Sequence, residues 1–451
     1  MNSKLKKAVF RVGLVLLAII ALVLGLRAVL NYTTGKKLQA YLEDAKAGAI
    51  PMSLKDIAPQ CDEPDNAARF WKAAEALFVI PEGKDKGLAD KTLINRTIDD
   101  FFASRPLSEE SKKRLAELIS MNRRVFDLVT EAAAQPCFRL GDWTDPAVAV
   151  PEPAKLVKMI QVIRLLGIEA VHRAEAGQSK EGLELCRQGM VFIRKTLDEP
   201  FLINNLVALA NMKSLVVCLN GIIRNREVDT ETLASWKQEM DPESWRAKFS
   251  RCVQAERVLG LEMGLRTIKG DREALKETES EGNLRFYWLS RPILKSQIIF
   301  IQNYFRDLEK NVGLPYYELK GRLQQDSQGR QAIPWYFKMS GLQLPDFQSV
   351  FLKEATLEAM MLTTKAGLAC KIYKKHTGHY PETLDALAPE FLDKVPVDPF
   401  TGQPLVYRVQ EDGGVIIYSV GSNEKDDGGR GTYQITQLVM DKDDDWAWSE
   451  K

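Results

Sequence analysis

Apolar residues in this chain follow three patterns in turn: one unbroken run, a long stretch at helical spacing, and a short alternating stretch near the C-terminus. Val12 to Leu26 is fifteen residues without a charge, preceded by Lys4, Lys6, Lys7 and Arg11. With Val9 and Phe10 before Arg11, and Ala28 to Leu30 after Arg27, the apolar segment reaches about 22 residues, enough to cross a bilayer when both arginines snorkel. From about residue 60 to about 310 the spacing is helical nearly throughout. Ser108 followed by Glu109 and Glu110 predicts an N-cap with acids on the helix dipole, and Leu115, Leu118, Ile119, Phe126 and Val129 then share one face. Gly141 to Pro153 interrupts the pattern, and Leu156, Met159, Ile160, Ile163 and Leu166 resume it. Phe201 to Ile223 is apolar enough to raise the question of a second span. Asn204, Asn205, Asn211, Lys213 and Asn220 would be costly in lipid, so the segment is expected to be a buried core helix.

Residues 324–334 lack periodicity and are expected to form an exposed linker. Beyond them Leu352, Ala355, Ala359, Leu362, Ala366, Ala369 and Tyr373 form a seam of mostly small side chains, which lets a helix lie close to a sheet before Gly378 ends it. Thr383 to Ala388 is expected to be a short helix, with Pro396 and Pro399 keeping the backbone around Asp398 irregular. Leu405 to Val409 and Val415 to Val420, on either side of Asp412-Gly413-Gly414, predict a β-hairpin. The expected fold is mainly α: a transmembrane helix, an irregular helical body (a bundle or short superhelix of helix pairs), and a small α+β head. The corresponding segments are a cytoplasmic tail (1–8), an anchor (9–30), an exported body (31–345) and the head (346–451).

Charge and cysteine usage narrow the setting. Lys and Arg number 62 against 61 Asp and Glu, so no overall field draws nucleic acid, and no nucleic-acid partner is expected. The basic flank is expected to stay in the cytoplasm, leaving residues from about 31 onward outside it. Bulky residues through Leu24 to Leu30 offer no small-x-small cleavage site, so an uncleaved, single-pass anchor in the cytoplasmic (inner) membrane is expected. The six cysteines include no C-x-x-C pair. Cys186, Cys218 and Cys370 fall in apolar helical patterns, whereas Cys61 and Cys137, beside prolines, are the candidates for a bridge.

His379-Tyr380-Pro381, Val395 to Gly402 around Asp398, Ile417 to Gly421 and the run Asp426-Asp427-Gly428-Gly429 together resemble the head of the type II secretion major pseudopilin. That resemblance implies a calcium-binding loop, with Gly421, Asn423, Asp426, Asp427, Asp441 and Asp443 as the ligand positions. Asn423 stands where the family has an aspartate, and the insert before Asp441 is longer. Read from the residues alone, the run is equally a solvated acidic tail. The anchor departs from the family: Gly13 is followed by Leu14, without a pilin processing site or its glutamate. Separately, Ala176 to Leu185 resembles the turn and second helix of a tetratricopeptide repeat, although no second copy follows at the family's spacing.

No G-x-S-x-G, H-E-x-x-H, Walker or dinucleotide motif occurs, and His172, His376 and His379 are the only histidines. Two readings remain. One is a non-enzymatic interaction or assembly protein of a bacterial cell envelope or secretion-related system, held to the membrane by residues 9–30 and binding a protein partner. The other is an exported hydrolase whose carboxylate-based site is assembled within the helical body.

Overall fold

The computed structural model describes residues 3–80, 108–145, 149–150, 152–271, 287–330, 346–429 and 446–450. The first helix, α1 (Ser3–Ala47), carries the apolar segment and continues without a break for several further turns. It is long and apolar enough to cross a membrane, and its apolar side chains from Val9 to Leu30 are exposed. Past that point Leu38, Tyr41 and Ala45 are buried, so one helix serves two environments. The short α2 (Leu54–Ile57) follows, with the Asp56 carboxylate accepting from the Ser53 N–H at 2.9 Å.

Then come α3 (Ala68–Leu77), α4 (Glu109–Met121) and α5 (Arg123–Ala133). Ser108 caps α4 as expected, its hydroxyl accepting from the Ser111 N–H at 3.1 Å. The candidate bridge is present: Cys61 and Cys137 are joined, with Cα atoms 5.7 Å apart, while Cys186, Cys218, Cys252 and Cys370 are buried and form no disulfide. The centre of the body is α6 (Pro153–Glu175), α7 (Ser179–Thr196) and α8 (Leu202–Asn225). In the α6–α7 hairpin a Cβ on Gly182 would lie 2.3 Å from the Ala170 carbonyl oxygen. Only glycine permits that approach. Helix α8 is the apolar segment weighed as a second span, and it is largely buried in the protein core.

The chain continues through α9 (Thr230–Glu239), α10 (Glu243–Lys269), α11 (Tyr287–Glu309) and α12 (Tyr316–Arg330). Helix α1 packs along α11, and the two are pinned by a buried polar chain. The Tyr41 hydroxyl meets Gln302 Oε1 at 3.2 Å, and Gln302 Nε2 donates to the Arg257 carbonyl at 2.9 Å. The Arg257 guanidinium, fully buried on α10, donates to Glu309 at 2.7 Å and to the Pro51 carbonyl at 3.1 Å.

The expected linker is corrected in part: residues 324 to 330 are the last turns of α12, and 331–334 lie outside the described residues. Leu319 and Leu323 are buried on one face of this helix, and the Gln and Arg residues that follow favour helix by intrinsic propensity without adding an apolar period.

Asp346 caps α13 (Phe347–Thr377), which carries the predicted alanine seam and ends at Gly378 in the left-handed conformation. Helix α13 packs on α8, α9 and α12 as well as on the sheet. Strands β1 (Val406–Val409) and β2 (Val415–Ser419) form the predicted hairpin. A third strand, β3 (Trp446–Glu450), adds antiparallel to β2, giving the order β1-β2-β3. A Cβ on Gly367 of α13 would sit 2.3 Å from the Trp448 ring, so the sheet rests directly on the helix backbone there. One apolar cluster runs from Trp71 and Phe126 through Leu215 and Trp236 to Leu368, Ile417 and Trp448. Helical body and C-terminal sheet share that core.

Candidate functional site

Three groups of polar side chains have the makings of a site. The first is the loop after β2. Gly421 takes a positive φ of 65°, and its carbonyl, expected as a ligand, accepts from the Glu424 N–H at 3.3 Å. Asn423 donates to Asp427 Oδ2 at 2.8 Å, which closes the turn. Asp426 Oδ2 is held by Arg408 at 2.6 Å, while its Oδ1 accepts from the Tyr418 hydroxyl at 2.7 Å and the Gly428 N–H at 2.9 Å. The Tyr418 bond is the largest cause of a carboxyl pKa below the usual range. Lys320 of α12 reaches Glu424 at 2.6 Å.

In the described part of the loop these side chains bond to one another and to neighbouring cations. A guanidinium beside Asp426 repels a cation from the carboxylate that should lead the coordination, and calcium needs six to eight oxygens. Among the described residues no group of three or more His, Cys, Asp or Glu is gathered as a metal would require. Asp441 and Asp443 lie outside the described residues. The resemblance implies that an ion offsets the cluster's charge, and the residues alone equally allow solvent; in the described part Arg408 pairs with Asp426 and Lys320 with Glu424.

A neighbouring aspartate has a different task. Asp398, between the two prolines, is buried and accepts from the N–H groups of Phe400 and Val420, each at 2.9 Å, and from the Ser419 hydroxyl at 3.0 Å. It staples the corner to the end of β2. Burial raises its pKa despite these bonds.

The second group is a buried carboxylate cluster on α13. Glu358 pairs with Arg246 at the start of α10. One turn earlier Glu354 is 8% exposed, and its Oε1 has no hydrogen-bond partner. Burial pushes the Glu354 carboxyl well above the usual range, and the neighbouring Glu358 adds to the rise. Burial raises Glu358 as well, against the pull of Arg246. A carboxylic acid beside an arginine-held carboxylate has the makings of acid–base chemistry. The space does not: the two cavities against Arg246, Glu354 and Glu358 hold about 10 Å³ each, roughly one water apiece. Two other glutamates, Glu199 buried and Glu256 half-buried, serve the backbone. Glu199 accepts from the N–H groups of Leu140 and Gly141 at 2.7 and 2.8 Å, and Glu256 accepts from Leu202 N–H at 2.7 Å at the start of α8.

The third group lines an open groove of about 420 Å³ between α7 and α9. Its floor is Trp236, nearly buried, with the Arg187 guanidinium 4.6 Å from the ring centre. Lys180 bridges the groove to Asp229 at 3.3 Å. Asp229 caps α9 through the Thr232 N–H at 2.8 Å, a bond that heads the causes lowering its carboxyl to about 2. Glu184, Glu231 and Ser235 complete a lining that carries both signs of charge. The volume lies within the usual range of ligand sites, but the open shape and polar walls suit an extended segment better than an enclosed small molecule.

The groove was not foreseen. Lys180, Glu184 and Arg187 share one face of α7, but their partners on α9 lie beyond the whole of α8, and no local pattern joins them. Compared with known protein families, curated proteins and solved structures, the chain matches none.

Proposed function

We propose that the chain is a single-pass membrane protein whose body is held at a set height above the bilayer and presents the α7–α9 groove to a protein partner. The observation that carries this reading is the continuity of α1. The apolar segment runs straight into turns that pack on α11 through Leu38, Tyr41 and Ala45, so body and anchor form one unit. A rigid mount suits an assembly component, which must hold a binding surface in fixed register with its neighbours. The basic flank of α1 favours a body outside the cytoplasm, and the Cys61–Cys137 bridge suits an oxidising compartment. The setting proposed is the bacterial cytoplasmic membrane, within a cell-envelope or secretion-related system. The hydrolase reading would place its chemistry at Glu354 and Glu358, where there is room for water but none for a substrate.

A photo-crosslinking residue at Ser235 of the full-length protein, in intact cells, tests the groove. One discrete adduct is expected, lost on Arg187→Glu and absent when the same residue is placed at the exposed Lys113 of α4. Identical adducts from both positions, or none from Ser235, would remove the groove as the contact surface.

A further inference from the structure

The join between anchor and body has a chemistry of its own. Helices α1 and α11 run parallel: Lys295 Nζ meets Asn31 Oδ1 at 2.9 Å and its carbonyl at 3.3 Å, Tyr41 meets Gln302 at 3.2 Å, and Arg306 meets Asp44 at 3.3 Å. Extending that register back from Lys295 places the first residue of α11, Tyr287, level with about residue 23 of α1. The first two turns of α11 therefore lie beside the last turns of the apolar segment.

Height along α1 sets where the bilayer ends. The segment from residue 9 to 30 is about 33 Å of helix, against a hydrocarbon core of about 30 Å. Arg27 is the first residue of the stripe that turns toward the body and continues through Asn31, Thr34, Leu38, Tyr41 and Ala45. The boundary between lipid tails and headgroups thus falls near Arg27 to Asn31, and Arg291 and Lys295 of α11 stand at the same level. Arg291 is oriented by donating to the Ile268 carbonyl at 2.7 Å. The Lys295 amine is lowered in pKa by burial first and then by Arg291 and Arg27, which places three cations near one another among the described residues. At the same end of α10, Asp145 and Asp271 are held by Arg266 at 2.6 and 2.7 Å, which offsets their charge locally.

We propose that Arg27, Arg291 and Lys295 form a site for phospholipid phosphate at the foot of the body, with the start of α11 lying in the headgroup layer. The site rests on the anchoring reading above. It adds a second attachment to the membrane and fixes the rotation of the body about α1, which a lone helix leaves undetermined. Lipid is the source favoured over free phosphate because the cations sit at headgroup depth, beside an apolar helix exposed along its length.

The test uses the full-length protein in nanodiscs of phosphatidylcholine mixed with phosphatidylglycerol, with the lipid retained after transfer to detergent counted by native mass spectrometry. Removing one cation, Lys295→Gln, should weaken phosphatidylglycerol retention about fivefold, and Arg291→Gln with Lys295→Gln about 25-fold, from about 1 kcal/mol per basic side chain near the surface. Lys295→Arg keeps the charge and should retain lipid as the wild type does. Unchanged retention in the double variant overturns the site. Inorganic phosphate that displaces the lipid at millimolar concentration also overturns it, in favour of a free-anion site. Alkaline carbonate extraction separates the two readings: release of the wild-type chain would sink the anchor and the site together. A chain that stays in the membrane, with lipid retention indifferent to the variants, would sink the site alone.

Discussion

The coupling of anchor to body makes an asymmetric prediction at the Arg257–Glu309 pair. Arg257 is fully buried, while the Glu309 side chain keeps 25% of its exposure. In Glu309→Ala the guanidinium stays in the interior with only the Pro51 carbonyl at 3.1 Å and Gln302 Oε1 at 3.5 Å as partners. A guanidinium does not escape by losing its proton, so the full penalty for an uncompensated buried charge applies, about 3–5 kcal/mol. Arg257→Met fills much of the same volume and leaves behind a carboxylate that water can reach; the loss should be nearer 1–2 kcal/mol, the scale of one charged hydrogen bond. Combining Arg257→Met with Glu309→Met removes both charges and should recover most of what Glu309→Ala loses, because an apolar pair of similar volume often replaces a buried ion pair at little cost. The assay is urea unfolding of the detergent-solubilised protein, with spin labels at Gln39 of α1 and Asn303 of α11 reporting the anchor–body distance. Glu309→Ala should both destabilise and broaden that distance distribution, since Gln302 links Arg257 to Tyr41. A Glu309→Ala variant less harmful than Arg257→Met, or a double variant as unstable as Glu309→Ala, would refute the reasoning.

Two further outcomes follow from the titrating groups. Glu354 has a folded pKa raised by burial, so its contribution to stability is complete below the usual glutamate range and falls as pH rises toward the raised value. Glu354→Gln should therefore match the wild type near about pH 4 and be the more stable protein near about pH 7, measured by unfolding at the two pH values. A variant that is less stable at neutral pH would show that the carboxylate itself is needed. Calcium added after chelator treatment should leave the melting midpoint unchanged, because Arg408 already offsets Asp426. A rise that magnesium does not reproduce and that Asp427→Ala abolishes would support the calcium loop that the resemblance implies.

Features read correctly from sequence were those whose cause is local. The length and charge flanks of the apolar run specify α1, Ser108 with Glu109 and Glu110 behind it specifies a helix start, and the Asp-Gly turn between β-branched runs specifies the hairpin. The polar residues inside Phe201 to Ile223 marked a core helix because lipid would charge more for them than a protein interior that surrounds them. Cys61 and Cys137 were legible as exceptions to the apolar pattern of the other cysteines, though their pairing is a contact across 76 residues. What folding alone decided is everything that depends on which helix lies beside which. The seam of α13 announced close packing but not that its other faces meet α8, α9 and α12, and so it gave no sign that body and sheet share one core. Glu354 and Glu358 are ordinary acids in the sequence, and only the arrival of Arg246 from α10 and the burial of that face separate their roles. The acidic run after β2 carried a charge excess that a linear reading left open between an ion and solvent; in three dimensions Arg408 and Lys320 reach part of it. Local pattern determines elements because backbone preference and periodicity act over a few residues, whereas charge pairing, grooves and the height of a side chain above a membrane arise from neighbours that the chain brings together from afar.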